Sequence, residues 1–293
     1  MESFALILTL QEFMPIWLIM ATSLSLLVGS FLNVVIGRLP QAMHKEWQQE
    51  CRLLLELDDE GAKPHSPAIA AIAWPGSHCP SCKTQLKAWH NIPVISYLLL
   101  KGQCAFCNIR ISLRYPLVEL LTAGLGLLVA WILGPSWQGV AGLVLVYILI
   151  AMTFIDLDHK LLPDQLTLPL MWLGLVINTF SIFTSLEDAF WGAVAGYMSL
   201  WLVYWGFRLA TGKHGMDYGD FKLLAALGAW MGWQALPIIV LMAAVAGIII
   251  GLLLRLRKTP TDPQMPFGPF LAVGGLAYVL WGEQMWVLVN NLI

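Results

Sequence analysis

Residues 236–254 read LPIIVLMAAVAGIIIGLLL and contain no charged side chain. A helix needs about 20 predominantly apolar residues to cross the hydrocarbon core of a bilayer, and this stretch meets that length. Comparable segments recur at roughly 15–36, 115–133, 138–157, 163–182, 187–209, 221–235 and 268–290. The sequence therefore predicts an all-α polytopic membrane protein with about eight transmembrane helices.

The composition agrees with a membrane protein and excludes other classes. Of the 293 residues, 58% are hydrophobic and 12% are charged, whereas a soluble domain averages about 25% charged residues. An ordinary soluble enzyme and a disordered chain are thus excluded. The net charge is −2, and 15 of the 34 charged residues lie between Arg38 and Arg114. Nucleic acid is therefore not an expected partner.

The basic residues predict the orientation, because Lys and Arg collect in cytoplasmic loops. Nine of the sixteen lie within residues 37–114, and the others follow the third, fifth and seventh spans. We therefore expect a cytoplasmic insert and extracytoplasmic termini, with the first span retained as a helix rather than removed as a signal peptide. The expected division is 1–36, a first transmembrane helix; 37–114, the insert; and 115–293, a seven-helix membrane domain.

The insert combines an amphipathic helix with a cysteine cluster. The helix is expected over residues 41–60, and CPSC (Cys79, Cys82) and CAFC (Cys104, Cys107) follow it. Two CxxC knuckles at this spacing are typical of a structural zinc site, in which four thiolates fill the metal shell. Two disulfides are the alternative, which a reducing cytoplasm disfavours. We expect a small zinc-binding module.

Carboxylates lie where two spans meet the cytoplasmic face. The third span ends in FIDLDHKLLPD, with Asp156, Asp158 and Asp164, and the sixth begins in MDYGDFKLL, with Asp217 and Asp220. Ionisable groups in spans are functional candidates by default. Asp164 is also expected as a helix N-cap, and the alternative roles are a solvated loop position for Asp158 and a second cap for Asp220. If Asp156 and Asp220 meet in a recess, they can share a proton, as in aspartic proteases; structural and ion-pathway roles remain open.

Several motifs together resemble one family. They are GSFLNVVIGRLP (29–40), the two cysteine knuckles, NIPVISYLLLKGQC (91–104), ISLRYPLVELL (111–121), IDLDHKLLPD (155–164) and YGDFKLLAALGAW (218–230). In this order, over nearly the whole chain, they resemble bacterial type IV prepilin peptidases. These are bifunctional leader peptidases and N-methyltransferases of the GxGD aspartyl protease class.

The resemblance implies a function. Members of this family cleave the leader of type IV prepilins and type II secretion pseudopilins after a glycine, at the cytoplasmic face of the inner membrane. They then methylate the new N-terminus with S-adenosylmethionine. The resemblance implies that Asp156 and Asp220 are catalytic and that Cys79, Cys82, Cys104 and Cys107 bind zinc. Gly102 matches a glycine tied to methylation.

One position departs from the family pattern, because Asp217 stands where the first glycine of GxGD is expected. Asp tolerates left-handed backbone better than most residues, so we expect activity to be kept. Two other functions stay open: a peptidase without methylation, and a transporter with carboxylates that relay protons. The pairs Gly192 with Gly196 and Gly247 with Gly251 also predict close helix packing, although chance glycines are an equal alternative.

Overall fold

The computed structural model describes residues 2–55, 70–73, 76–79, 81–213, 215–256 and 265–292. Over these residues the chain is mostly helical, with two isolated β-bridges and no strand. The predicted all-α class is confirmed. The chain divides into two compact units, Met1–Leu128 and Val129–Ile293.

Ten α-helices are present in the described part of the chain. They are α1 (Glu2–Leu54), α2 (Ala70–Ala73), α3 (Ile95–Leu99), α4 (Arg114–Leu133), α5 (Trp137–His159), α6 (Asp164–Asn178), α7 (Leu186–Thr211), α8 (Tyr218–Met231), α9 (Leu236–Leu256) and α10 (Gly268–Leu292). Short 3₁₀ turns occur at Ala88–Asn91 and Trp233–Ala235.

Four stretches among the described residues are long and apolar enough to cross a membrane. They are Phe13–Leu54, Arg114–Leu133, Trp137–His159 and Trp233–Leu256. The apolar part of α10, Gly268–Gly282, is shorter. These stretches bear out a membrane protein with several apolar helices.

The first helix is longer than the sequence predicted. A span over 15–36 and a separate helix over 41–60 were expected, but α1 runs without a break to Leu54. Pro40 lies inside it and removes one main-chain donor. Good helix formers surround Pro40, and Leu39 and Met43, one turn apart, are both buried. Residues 56–69, including the end of the predicted amphipathic helix, lie outside the described residues.

Helices α7 and α8 pack backbone against backbone in the second unit. A Cβ on Gly192 would overlap the carbonyl oxygen of Gly228, and one on Gly196 would lie 2.6 Å from the oxygen of Leu224. Close packing at this pair is confirmed. The prediction of close packing is wrong for Gly247 and Gly251, where a Cβ would make ordinary van der Waals contacts at 3.6 and 3.8 Å.

Helix α8 is fixed against α6 by hydrogen bonds. The fully buried Trp230 donates its indole N–H to the oxygen of Leu170 at 2.8 Å. The buried side-chain amide of Asn178 donates to the oxygens of Ala229 and Trp230, both at 2.9 Å. Because the buried side chains of Trp230 and Asn178 both donate to main-chain oxygens, α8 is fixed against α6. The first turn of α8 carries Asp220.

Candidate functional site

Two carboxylates predicted from separate segments lie together in the second unit. Asp156 is in the last turn of α5 and Asp220 is in the first turn of α8, and each is only 5% exposed. The two carboxylates interact electrostatically. Two buried acidic groups that act on each other in this way are unusual in a merely structural setting.

Asp156 has a partner that the sequence did not reveal. The main-chain N–H of Gly268, the first residue of α10, donates to Oδ2 of Asp156 at 3.0 Å. A Cβ on Gly268 would lie 2.5 Å from that oxygen, so only glycine lets the main chain approach so closely. The motif Pro266-Phe267-Gly268-Pro269 marks a helix start, but nothing in it shows which residue the start faces.

Leu162 fills the space between the two glycines next to the carboxylates. Its Cβ would lie 2.7 Å from a Cβ on Gly219, and its methyl groups 3.1 and 3.2 Å from one on Gly268. The leucine is 7% exposed. It forms an apolar wall beside Asp156 and Asp220, and this wall explains why a glycine precedes Asp220.

Asp217 adopts a backbone conformation that does not require glycine. It is the N-cap of α8 with φ −94° and ψ 152°, a region open to any residue, and its side chain makes no capping bond. The N–H of Asp220 bonds to the oxygen of Asp217 at 3.2 Å, so the chain turns here. The exposed Asp217 carboxylate acts electrostatically on both Asp156 and Asp220.

The remaining predicted carboxylates lie at the surface. Asp164 was expected as an N-cap, but the cap is Pro163, and Asp164 begins α6. Its side chain instead pairs with Lys222 Nζ at 2.5 Å and thereby links α6 to α8. Asp158 is exposed in the last turn of α5. The buried Asp220, for which a capping role was the alternative, is the third residue of α8 and not its cap.

The four cysteines of the two knuckles meet in the first unit, as the sequence predicted. Their sulfur atoms all lie within 4.8 Å of one another, and Sγ of Cys79 and Sγ of Cys107 are 3.8 Å apart. The four could hold a metal ion. The fifth cysteine, Cys51, is exposed on α1.

The knuckles are two copies of one structure, 25 residues apart. In the first, the N–H of Cys79 bonds to Thr84 and that of Lys83 to Cys79; the second repeats these bonds from Cys104 to Ile109 and from Asn108 to Cys104. Lys83 and Asn108 both have left-handed φ, of 58° and 57°. Each turn brings two sulfurs to the same side.

Hydrogen bonds favour the thiolate form of two of these cysteines. The side chain and the main chain of Thr84 lower the pKa of Cys82 to about 6. Main-chain bonds from Phe106 and Cys107 lower the pKa of Cys104. Thiolate is the form that binds metal ions.

Gly102 occupies a position in the second knuckle that requires glycine. Its φ is +69°, and a Cβ would lie 2.8 Å from the hydroxyl oxygen of Tyr97. The N–H of Ile111 bonds to the Gly102 oxygen, just as the N–H of Leu86 bonds to Ser77 in the first knuckle. The structure thus accounts for the glycine by conformation and space.

Sequence reasoning overlooked a buried carboxylate in the first unit. Glu119, in α4, is 7% exposed, and its Oε2 accepts the N–H of Val94 at 2.8 Å. The side chain of Ser30 in α1 is also hydrogen-bonded to Glu119. An acidic residue inside the apolar segment 115–133 was the signal that could have revealed it.

Comparison with known proteins identifies the family. Residues 23–133 match the bacterial peptidase A24 N-terminal domain, and residues 143–252 match the type IV leader peptidase family. A protein of Stutzerimonas stutzeri named prepilin leader peptidase/N-methyltransferase is 55% identical over 90% of this chain and 91% of its own. The chain belongs to the type IV leader peptidase family.

Other members of this family align over similar lengths. Proteins of the same name from Pseudomonas aeruginosa and Aeromonas hydrophila are 52% and 50% identical. The first alignment covers 89% of each chain, and the second covers 98% of this chain and 100% of the relative. No solved structure matches the chain.

Proposed function

We propose that this chain cleaves the basic leader from type IV prepilins and type II secretion pseudopilins after a glycine and then methylates the new N-terminus. Relatives at about half identity are named for both activities. For the peptidase, the observation that carries the proposal is the pair of buried, electrostatically coupled carboxylates, Asp156 and Asp220.

The pair supports hydrolysis by acid–base catalysis. Two carboxylates in one site share a proton, because both cannot ionise easily. The ionised carboxylate takes a proton from water as the water oxygen attacks the scissile carbonyl carbon, and the protonated one gives its proton to the carbonyl oxygen. When the intermediate collapses, the C–N bond breaks and the carboxyl that took the proton from water gives it to the leaving amine. The other carboxylate takes the proton of one hydroxyl group, so the pair again holds one proton. The Gly268 N–H fixes the orientation of the Asp156 carboxylate for these transfers.

The peptidase proposal is tested by removing one carboxylate at a time. Asp156→Asn and Asp220→Asn should each lower the cleavage rate by about 10²–10⁴-fold, the usual contribution of a general acid or base. Asp158→Asn is the matched control, since it removes an exposed carboxylate from the same helical turn as Asp156. Cleavage of a purified prepilin is followed by mass spectrometry. Complete leader removal by either of the first two variants would disprove the aspartyl mechanism.

We assign zinc to the four cysteines on the dimensions of the cluster. Zinc–sulfur bonds of ~2.3 Å in a tetrahedron place the sulfurs about 3.8 Å apart, which agrees with the 3.8 Å between Cys79 and Cys107. When bound, zinc would have a full shell of Cys79, Cys82, Cys104 and Cys107, so its role is to order the module.

For methylation we assign S-adenosylmethionine as the methyl donor, which when bound supplies the methyl group to the unprotonated N-terminal amine. Gly102 is the residue of this chain that we tie to this activity, through its resemblance to the family. A purified protein incubated with prepilin and labelled methyl donor should yield a cleaved product that carries the label. Cleavage without the label would instead identify a peptidase that lacks methylation.

The membrane arrangement that we propose has eight spans in the bacterial inner membrane, with periplasmic termini and a cytoplasmic insert. Helix α1 and the seven helices α4–α10 overlap the eight apolar segments, and all Lys and Arg residues fall on one side of this arrangement. Labels at Ser136 and Ser185 should be accessible from the periplasm, and one at Lys87 from the cytoplasm. Reversed labelling would place the carboxylates on the wrong face for a leader peptidase.

A further inference from the structure

The short helix α3 exposes one apolar face in the first unit. Ile95, Leu98 and Leu99 are spaced i, i+3 and i+4, so they share that face. Their exposed fractions are 55%, 68% and 77%, and Ile92 just before them is 44% exposed. A continuous apolar surface of this kind marks an interaction site.

The opposite side of the same segment is tied to the protein. Ser96 donates its hydroxyl to the oxygen of His90 at 2.6 Å, and Tyr97 donates its hydroxyl to the oxygen of Ile111 at 3.3 Å. Pro93 is buried. The segment is therefore held in one orientation, with its leucines directed outward.

Hydrogen bonds to two apolar helices place this segment level with residues inside their apolar stretches. Val94 N–H bonds to Glu119, five residues into α4 and thus about 7.5 Å from its start at Arg114. The Asn91 oxygen accepts from Ser30 at 3.4 Å, and Ser30 lies six residues, about 9 Å, before the end of the apolar segment 15–36. Interfacial helices bury their apolar face about 5–10 Å into a bilayer, which is the same depth.

The buried carboxylate of Glu119 has a reason at this depth. A non-helical main chain at membrane level is tolerated only where protein satisfies its polar groups. Val94 has φ +60°, a conformation that is strained for a β-branched residue, and Glu119 accepts its N–H. Glu119 and Ser30 thus supply partners that lipid cannot.

We propose that residues 91–100 form a lipid anchor, with Ile95, Leu98 and Leu99 inserted among the acyl chains of the bilayer interface. Lys101, exposed and next in the chain, then lies at the level of anionic headgroups. Gly102 follows at once, so the anchor holds the methylation region at the membrane surface. This last consequence rests on the proposed methylation, whereas the anchor itself rests only on α1 and α4 crossing the membrane.

The anchor is tested with the full-length protein in vesicles of phosphatidylethanolamine and phosphatidylglycerol. An environment-sensitive fluorescent amino acid, genetically encoded at Leu99, leaves all five cysteines in place. Its fluorescence is measured with nitroxide-labelled acyl chains and with aqueous iodide as quenchers. Leu117, 55% exposed in the first turn of α4, is the lipid-facing control, and the exposed Gln85 of the first knuckle is the aqueous control.

The probe at Leu99 should behave like the one at Leu117, quenched by the nitroxide lipids and protected from iodide. Quenching by iodide, as at Gln85, would overturn the proposal, because the face would then lie in water. Protection from both quenchers would overturn it as well and would indicate a protein partner, such as a second copy of the chain. None of these results depends on catalytic activity, so failure of the peptidase or methylation proposal would be seen separately.

Discussion

Replacing Gly268 with alanine should slow cleavage without unfolding the protein. The new Cβ would lie 2.5 Å from Oδ2 of Asp156, about 0.9 Å short of the 3.4 Å at which ordinary contact begins. Leu162, within 3.2 Å of the same Cβ, blocks movement in its direction. The Asp156 carboxylate must therefore shift by roughly an ångström and lose its 3.0 Å bond from the Gly268 N–H. A displacement of that size typically costs about 10²-fold in rate, or about 2.7 kcal/mol of transition-state stabilisation.

The loss should be in kcat rather than in KM, because the variant alters a carboxylate and not a substrate-binding surface. Both are measured with purified prepilin in detergent, and methylation of a previously cleaved pilin by the same preparation reports that the fold survives. Gly275→Ala is the matched control: its Cβ would lie 2.6 Å from Cδ2 of Leu227, an equal steric burden on the same helix, away from any carboxylate. Wild-type kcat in Gly268→Ala, or an equal loss in Gly275→Ala, would refute the positioning role.

Three other variants test separate parts of the structure. Cys79→Ser should reduce bound zinc from about one per chain to none by elemental analysis and make the insert protease-sensitive, while Cys51→Ser should keep its metal; full zinc in the first variant would contradict the assignment. Gly192→Ala should lower the unfolding free energy by about 1–3 kcal/mol or more in a denaturant titration, because its Cβ strikes the Gly228 carbonyl, whereas Gly247→Ala should change little. Asp217→Gly should retain cleavage, since φ −94° does not depend on the residue type; an inactive variant would show that the Asp217 carboxylate has a role of its own.

The parts of the site that the sequence predicted are those with a local signal. Each CxxC turn places its own two sulfurs, so the cysteine pairs were readable at once. Asp156 and Asp220 were marked because charged groups at the ends of apolar segments are costly. The sequence predicted a break in the helix before Pro40 and an Asp164 cap on α6, whereas α1 is continuous and Pro163 is the cap. Both predictions were wrong because helix propensity near a helix end is weak and the packing of neighbouring residues overrides it.

Hydropathy and motifs alone determined that this chain is an all-α membrane protein with a cysteine module and an acidic pair, since these properties depend on residue type and short spacing. Only the tertiary structure decided which partners these residues have. Gly268 meets Asp156 across 112 residues of sequence, and Val94 meets Glu119 across 25. Both contacts use a main-chain N–H, which every residue except proline carries. Sequence therefore cannot mark such a donor, and only folding shows which carboxylate it reaches.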